Sequence, residues 1–172
     1  MKLNIQLFGG RGASSSIREP IKERSGLKSY FKSKRINERL KDVAFKSGNK
    51  DLISDGYSIY QVEKTGLQYS KDEKLTNQLK GFEKQLNDFS KQAKEYNSID
   101  NYITDKENYN VDKDYSFDTK RIKQAKSVLG RDTQASIVYE EWGSIKNPIR
   151  QPRLVFKNKK GEKGFLLPQR KF

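Results

Sequence analysis

Arg153-Leu154-Val155-Phe156-Lys157-Asn158-Lys159-Lys160-Gly161-Glu162-Lys163-Gly164-Phe165-Leu166-Leu167 reads as two strands around a turn. Leu154 to Phe156 and Phe165 to Leu167 supply the apolar runs. Asn158 to Glu162 is a short connection containing glycine, a common hairpin loop. Phe156 and Phe165 pair across the strands. Lys157, Lys159, Lys160 and Lys163 crowd the turn. This hairpin closes the chain in a small antiparallel sheet.

Upstream, Pro148 and Pro152 bracket an extended connection, and residues 135–141 (Ala-Ser-Ile-Val-Tyr-Glu-Glu) suit a strand. Asp118 caps a helix over 119–129 that turns Ile122, Ala125, Val128 and Leu129 inward and stops at Gly130. Residues 98–117, rich in Asn, Asp and Tyr, read as a loop.

The strongest periodicity lies before that loop. Leu75, Leu79, Phe82, Leu86, Phe89, Ala93 and Tyr96 alternate spacings of four and three, one narrow apolar stripe on a helix. Ser70 and Glu73 fit a capping box at its start. The stripe can pack on this chain's own helices or form a homodimer through residues 75–96. Residues 57–63 read as a short strand between Gly56 and Gly66. Residues 27–46 read as a basic helix with Leu27, Tyr30, Phe31, Leu40, Val43 and Ala44 sharing a face. Residues 9–26, carrying Gly, Ser, Arg and one Pro, read as a linker. The expectation is a flexible leader and linker over 1–26, then a single α+β domain over 27–172. That domain is a long amphipathic helix with partner helices and a small antiparallel sheet ending in the C-terminal hairpin.

Charge separates the ends from the middle. Residues 1–50 hold 13 Lys/Arg against 4 Asp/Glu, residues 51–145 hold 14 against 17, and residues 146–172 hold 9 against 1. Basic ends on a nearly balanced middle point to a polyanionic partner. Nucleic acid is the commonest, bound by phosphate neutralisation and counterion release. Two sets of side chains are candidates for that contact. One is Lys28, Lys32, Lys34, Arg35, Arg39 and Lys41, interleaved with Tyr30 and Phe31, which are either stacking platforms or core. The other is the hairpin set Lys157, Lys159, Lys160 and Lys163, extended by Arg150, Arg153, Arg170 and Lys171.

The chain has no Cys and no His. Disulfides, thiolate zinc sites and histidine-based acid–base chemistry are excluded. Glu140 and Glu141 form a compact acidic pair beside Trp142, a candidate for metal-nuclease chemistry. Neighbours on a strand point to opposite faces, which argues against their convergence. Asp72-Glu73-Lys74 sits where helix capping explains it. No enzyme activity, metal or cofactor is expected. No segment has the roughly 18–20 apolar residues of a membrane span, so no membrane contact is expected.

The first residues carry a family likeness. Leu3-Asn4-Ile5-Gln6-Leu7-Phe8-Gly9-Gly10-Arg11-Gly12, followed by small residues, resembles the N-termini of major and minor head proteins from the head modules of tailed phages of Gram-positive bacteria. The likeness covers residues 1–16. It implies a phage or prophage gene expressed with the head genes, a product in the host bacterial cytoplasm or carried with the virion, and contact with capsid or scaffold through residues 1–8. With the basic ends and the absence of catalytic groups, it leads to a non-enzymatic accessory protein. That protein would bind DNA, RNA or a host ribonucleoprotein such as a CRISPR effector, as a host-defence antagonist of the anti-CRISPR type. The alternatives are a minor head-associated virion protein contacting packaged DNA and a carboxylate-metal nuclease.

Overall fold

The structure, a computed structural model, describes residues 26–32 and 38–171. The strands in chain order are β1 (Val43–Ser47), β2 (Lys50–Ser54), β3 (Ser58–Val62), β4 (Gln68–Tyr69), β5 (Asn97–Ser98), β6 (Asn108–Asn110), β7 (Tyr115–Asp118), β8 (Gln134–Ser144), β9 (Asn147–Lys157), β10 (Lys163–Leu166) and β11 (Gln169–Arg170). The helices are α1 (Leu27–Phe31), α2 (Glu73–Gln92) and α3 (Thr119–Leu129), with a 3-10 turn at Ile99–Tyr102. Eight strands form one mixed sheet in the order β4-β1-β2-β3-β10-β9-β8-β5, and β11-β7-β6 form a second. Only the β1–β4 pairing is parallel among these ladders.

The fold is therefore dominated by sheet, which corrects the expectation of a helix-led α+β domain. The reason lies in the strands themselves. Leu52-Ile53, Ile59-Tyr60, Leu154-Val155-Phe156 and Phe165-Leu166 are apolar at consecutive positions, and consecutive strand residues face opposite sides. Each face of the large sheet thus carries its own core. On one, Ala44, Ile53, Tyr60, Leu154, Phe156 and Leu166 pack with α1, α3 and the 3-10 turn. On the other, Phe45, Leu52, Ile59, Val138, Val155 and Phe165 pack with Leu75, Leu79, Leu86 and Phe89 of α2.

The C-terminal hairpin forms, with Lys163 opposite Lys157 and Leu166 opposite Leu154, but the expected Phe156–Phe165 pair is not made: Phe156 lies opposite Gly164 and Phe165 opposite Val155, and the two rings enter the cores on opposite faces of the sheet. It is central in the sheet, since β10 also pairs with β3. The stripe on α2 is spent on this sheet, so it offers no continuous apolar face for a homodimer; Phe82 alone of the seven stays largely exposed. The helix starts at an Asp72 cap whose Oδ1 accepts from the Leu75 amide at 3.0 Å, in place of the expected Ser70 capping box. It ends at Gln92, short of Ala93 and Tyr96.

Three further expectations change. Of the basic helix expected over 27–46, the described residues are helical over Leu27–Phe31, and Val43–Ser47 is a strand. Val43 and Phe45 fit the pleated sheet, and Gly48-Asn49 turns the chain straight back into β2 with Ser47 opposite Lys50. The loop over 98–117 contains β6, β7 and the 3-10 turn. The extended connection around Pro148 and Pro152 is one arm of a long hairpin, with β8 and β9 paired from Gln134↔Lys157 to Ser144↔Asn147. The leader, and the linker up to residue 25, lie outside the described residues.

A buried ion pair ties the layers together. The Asp55 carboxylate accepts from the amides of Tyr57 at 2.9 Å and Ser58 at 2.8 Å, from the Ser58 hydroxyl at 3.0 Å, and from the Arg121 guanidinium of α3. Arg121 also lies 4.0 Å over the Tyr57 ring. Removing one partner of such a pair strands a buried charge. Arg121→Ala is expected to lower unfolding free energy by about 3 kcal/mol, read as a shifted urea midpoint at unchanged slope.

Candidate functional site

The turn between β9 and β10 is held by two buried polar residues. The Asn158 amide group donates to the Leu129 carbonyl at 2.7 Å and to Glu162 Oε1 at 2.8 Å, while its Oδ1 accepts from the amides of Lys160 and Glu162, each at 3.0 Å. Glu162 Oε2 accepts from the Glu63 amide at 2.7 Å, and Asp132 Oδ2 accepts from the Lys159 amide at 3.0 Å. The backbone is thereby fixed, while the side chains of Lys159 and Lys160 stand in solvent. Asn158→Ala removes four side-chain bonds and leaves buried groups unpaired. It is expected to cost about 3 kcal/mol, measured by urea unfolding, and to speed hydrogen exchange at the Lys160 and Glu162 amides.

More lysines gather at this end of the sheet. Lys50 Nζ donates to the Gly161 carbonyl at 2.7 Å. Lys157 Nζ sits 3.8 Å over the Tyr96 ring. Lys163 is half-buried and donates to Asn87 Oδ1 on α2. Its pKa is lowered, first by burial, then by Lys50 and Lys91, with Glu83 opposing. Helical spacing adds a stripe from α2. At 100° per residue, Lys80, Lys84 and Lys91 fall within an arc of about 40°, and Asn87 lies about 20° from its edge. Asn87 bonds Lys163 and the Lys91 charge acts on Lys163, which puts this part of the arc beside the sheet's lysine end. All three of these helix lysines are exposed. Among the described residues, no carboxylate comes within ion-pair range of Lys50, Lys157, Lys159, Lys160 or Lys163. Glu83, which acts on Lys163 through space, accepts from Ser47 and from Gln61 Nε2.

The four hairpin lysines expected from sequence are thus brought together. The other candidates are dispersed. Arg150 lies on the projecting β8–β9 arm, 3.3 Å from Glu141 and 4.0 Å over the Tyr139 ring. Arg153 is buried between the Phe89 and Trp142 rings and pairs with Glu140 at 2.6 Å, so it is not free to meet a phosphate. Arg170 is exposed on β11 in the smaller sheet, and Lys171 binds the Asp112 carbonyl. Lys28, Lys32 and Lys41 are exposed near α1 and the turn that follows it. Arg39 is paired with the helix-cap Asp72. Lys34 and Arg35 lie outside the described residues. Tyr30 and Phe31 are fully buried and act as core, so they stack on no ligand.

Sequence reasoning missed Lys50, Lys80, Lys84 and Lys91. The α2 lysines were legible as a stripe opposite the apolar one. Lys50 was not, because only the β1–β2 hairpin carries it to the turn.

The acidic pair offers no converging carboxylates. Glu140 faces α2 and holds Arg153, whereas Glu141 is on the opposite face and holds Arg150. A groove of about 900 Å³ beside them, lined by Asp88, Gln92, Glu95, Tyr102, Tyr139 and Glu141 among others, is of mixed charge and lies apart from the lysine turn. Trp142, Ile145 and Ile149 are exposed farther along the same arm. Among the described residues no helix is long and apolar enough to cross a membrane.

No family model matches the chain, and no curated protein or solved structure matches it either.

Proposed function

We propose that this protein is a non-enzymatic nucleic-acid-binding accessory protein and that the lysine end of its large sheet is the binding surface. The observation that carries this reading is the packing of unpaired lysines around Lys163. Holding like charges together, one of them partly desolvated, opposes folding unless something is gained. A polyanion supplies the gain, because phosphates neutralise the cluster and release their counterions. The N-terminal resemblance to phage head-module proteins supplies a setting in which the polyanion is DNA, RNA or a host ribonucleoprotein. A defence antagonist of the anti-CRISPR type would use this surface to occupy a nucleic-acid channel.

The test is retention of the whole chain on immobilised DNA and RNA at low salt, with neutral resin as control. The protein is expected to be retained and to elute as salt rises. Lys157→Gln combined with Lys163→Gln should elute earlier, at unchanged unfolding midpoint or a slightly higher one. Flow-through at low salt on both supports would overturn the reading.

A further inference from the structure

We propose that the lysine surface takes a double helix and grips it through its phosphates, without reading base sequence. This rests on the nucleic-acid reading above and names the class of ligand. The first argument is the choice of cation. Four arginines, Arg39, Arg121, Arg150 and Arg153, are in ion pairs with carboxylates of this chain. The surface itself is built from lysines. An ammonium is a point charge that neutralises a phosphate from any direction, whereas the planar fork of arginine or an amide is better matched to bidentate reading of base edges.

The second argument is the placement of aromatic rings. Single strands are held largely by bases stacking on exposed rings. The exposed rings are Trp142 on the projecting arm, Tyr57 at the β2–β3 turn, Phe82 on the sheet-facing stripe of α2, and Tyr69 on the edge strand β4. Tyr69 has the Lys46 ammonium over its ring and Tyr57 the Arg121 guanidinium, as Tyr96, which borders the lysines, has the Lys157 ammonium. Among the described residues, those stacking faces are already covered by cations of this chain.

The third argument is rigidity and reach. The turn is fixed by Asn158 and Glu162, and the remaining lysines stand on a helix and on strand ends. Lys80 to Lys91 spans about 16.5 Å along α2, against about 34 Å for one duplex turn. A rigid row of charges fits a rigid rod carrying one charge per roughly 1.7 Å of axis. A flexible strand would have to be ordered first, at a cost in entropy. The projecting β8–β9 arm leaves the opposite end of β9 and cannot enter a groove of a duplex seated here.

The experiment is equilibrium binding of the full chain to fluorescent duplex DNA and duplex RNA of about 24 base pairs. Two unrelated sequences are used, and each duplex is compared with its own separated strands. A duplex of either sugar should bind at least about tenfold more tightly than its strands, with the two sequences within about twofold of each other. The variant Lys80→Gln, Lys84→Gln, Lys91→Gln keeps good helix formers on an exposed face. It should lose about tenfold in duplex affinity with no change in thermal midpoint. Strands binding as tightly as duplexes, a large sequence preference, or an unaffected triple variant would overturn the duplex inference while leaving nucleic-acid binding standing. Absence of binding to every probe would overturn the function itself.

Discussion

Gly164→Ala is expected to unfold the protein or to cost about 3–4 kcal/mol of stability. Gly164 sits in β10 between Tyr60 of β3 and Phe156 of β9. A Cβ there would lie 2.2 Å from Tyr60 Cδ1 and 2.6 Å from the Ile59 carbonyl oxygen. The ring cannot simply swing away, because Tyr60 is fully buried and packs edge-on against Tyr30 at 5.5 Å between centroids. The carbonyl belongs to the neighbouring strand and moves only if the ladder opens. A glycine in a strand interior normally weakens it, so its presence marks a close approach of neighbours. Gly81→Ala is the matched control. It lies in α2 with nothing within 4 Å of the added carbon and is expected to gain about 0.5–1 kcal/mol. Urea unfolding of the two variants should move the midpoint in opposite directions. Equal midpoints would show that β10 does not run between β3 and β9.

The largest expected effect on binding comes from reversing charge at the fixed turn. Lys159→Glu with Lys160→Glu should weaken nucleic-acid binding roughly 50-fold near physiological salt. Two phosphate contacts disappear and two repulsions replace them. The salt dependence should also become shallower, by about 1.8 in the slope of log K against log salt. Both side chains are exposed, and the turn's bonds use their backbone amides, so the fold should be retained. Fluorescence anisotropy with a labelled duplex measures the affinity, and circular dichroism reports the fold. Wild-type affinity in a folded double variant would remove the turn from the interface.

The sequence yields short-range features well and long-range pairing poorly. The C-terminal hairpin, the α3 cap at Asp118 and the apolar stripe of α2 were all legible, because each is decided by residues close together in the chain. What the stripe would meet was not. Leu75 to Phe89 pack on β-strands drawn from both ends of the chain, and periodicity carries no information about the partner. The consecutive apolar pairs Leu52-Ile53 and Ile59-Tyr60 signal a sheet covered on both sides; residues 57–63 were legible as a strand, whereas the run at Leu52-Ile53 is short enough to pass for a loop or a helix fragment. Pro148 and Pro152 hid the β8–β9 arm, since proline is poor in a central strand. It is tolerated here because β10 pairs with β9 only over Leu154–Lys157, so the edge of β9 at Pro148 and Pro152 has no strand partner among the described residues, and the arm projects. The candidate site divides in the same way. The turn lysines follow from local sequence. Lys50 and Lys163 meet only through the ladder β2-β3-β10, and Arg153 is removed from the basic set by a cross-strand carboxylate that charge counting could not place.

The central claim is that the lysine end of the sheet binds nucleic acid through phosphates, and the salt dependence of that binding tests it most directly. A labelled duplex is titrated with the full chain between about 50 and 250 mM sodium chloride. Log K should fall linearly with log salt, with a slope of about −4, the value for four to five phosphates neutralised. A flat line, or no binding at the lowest salt, would contradict the account.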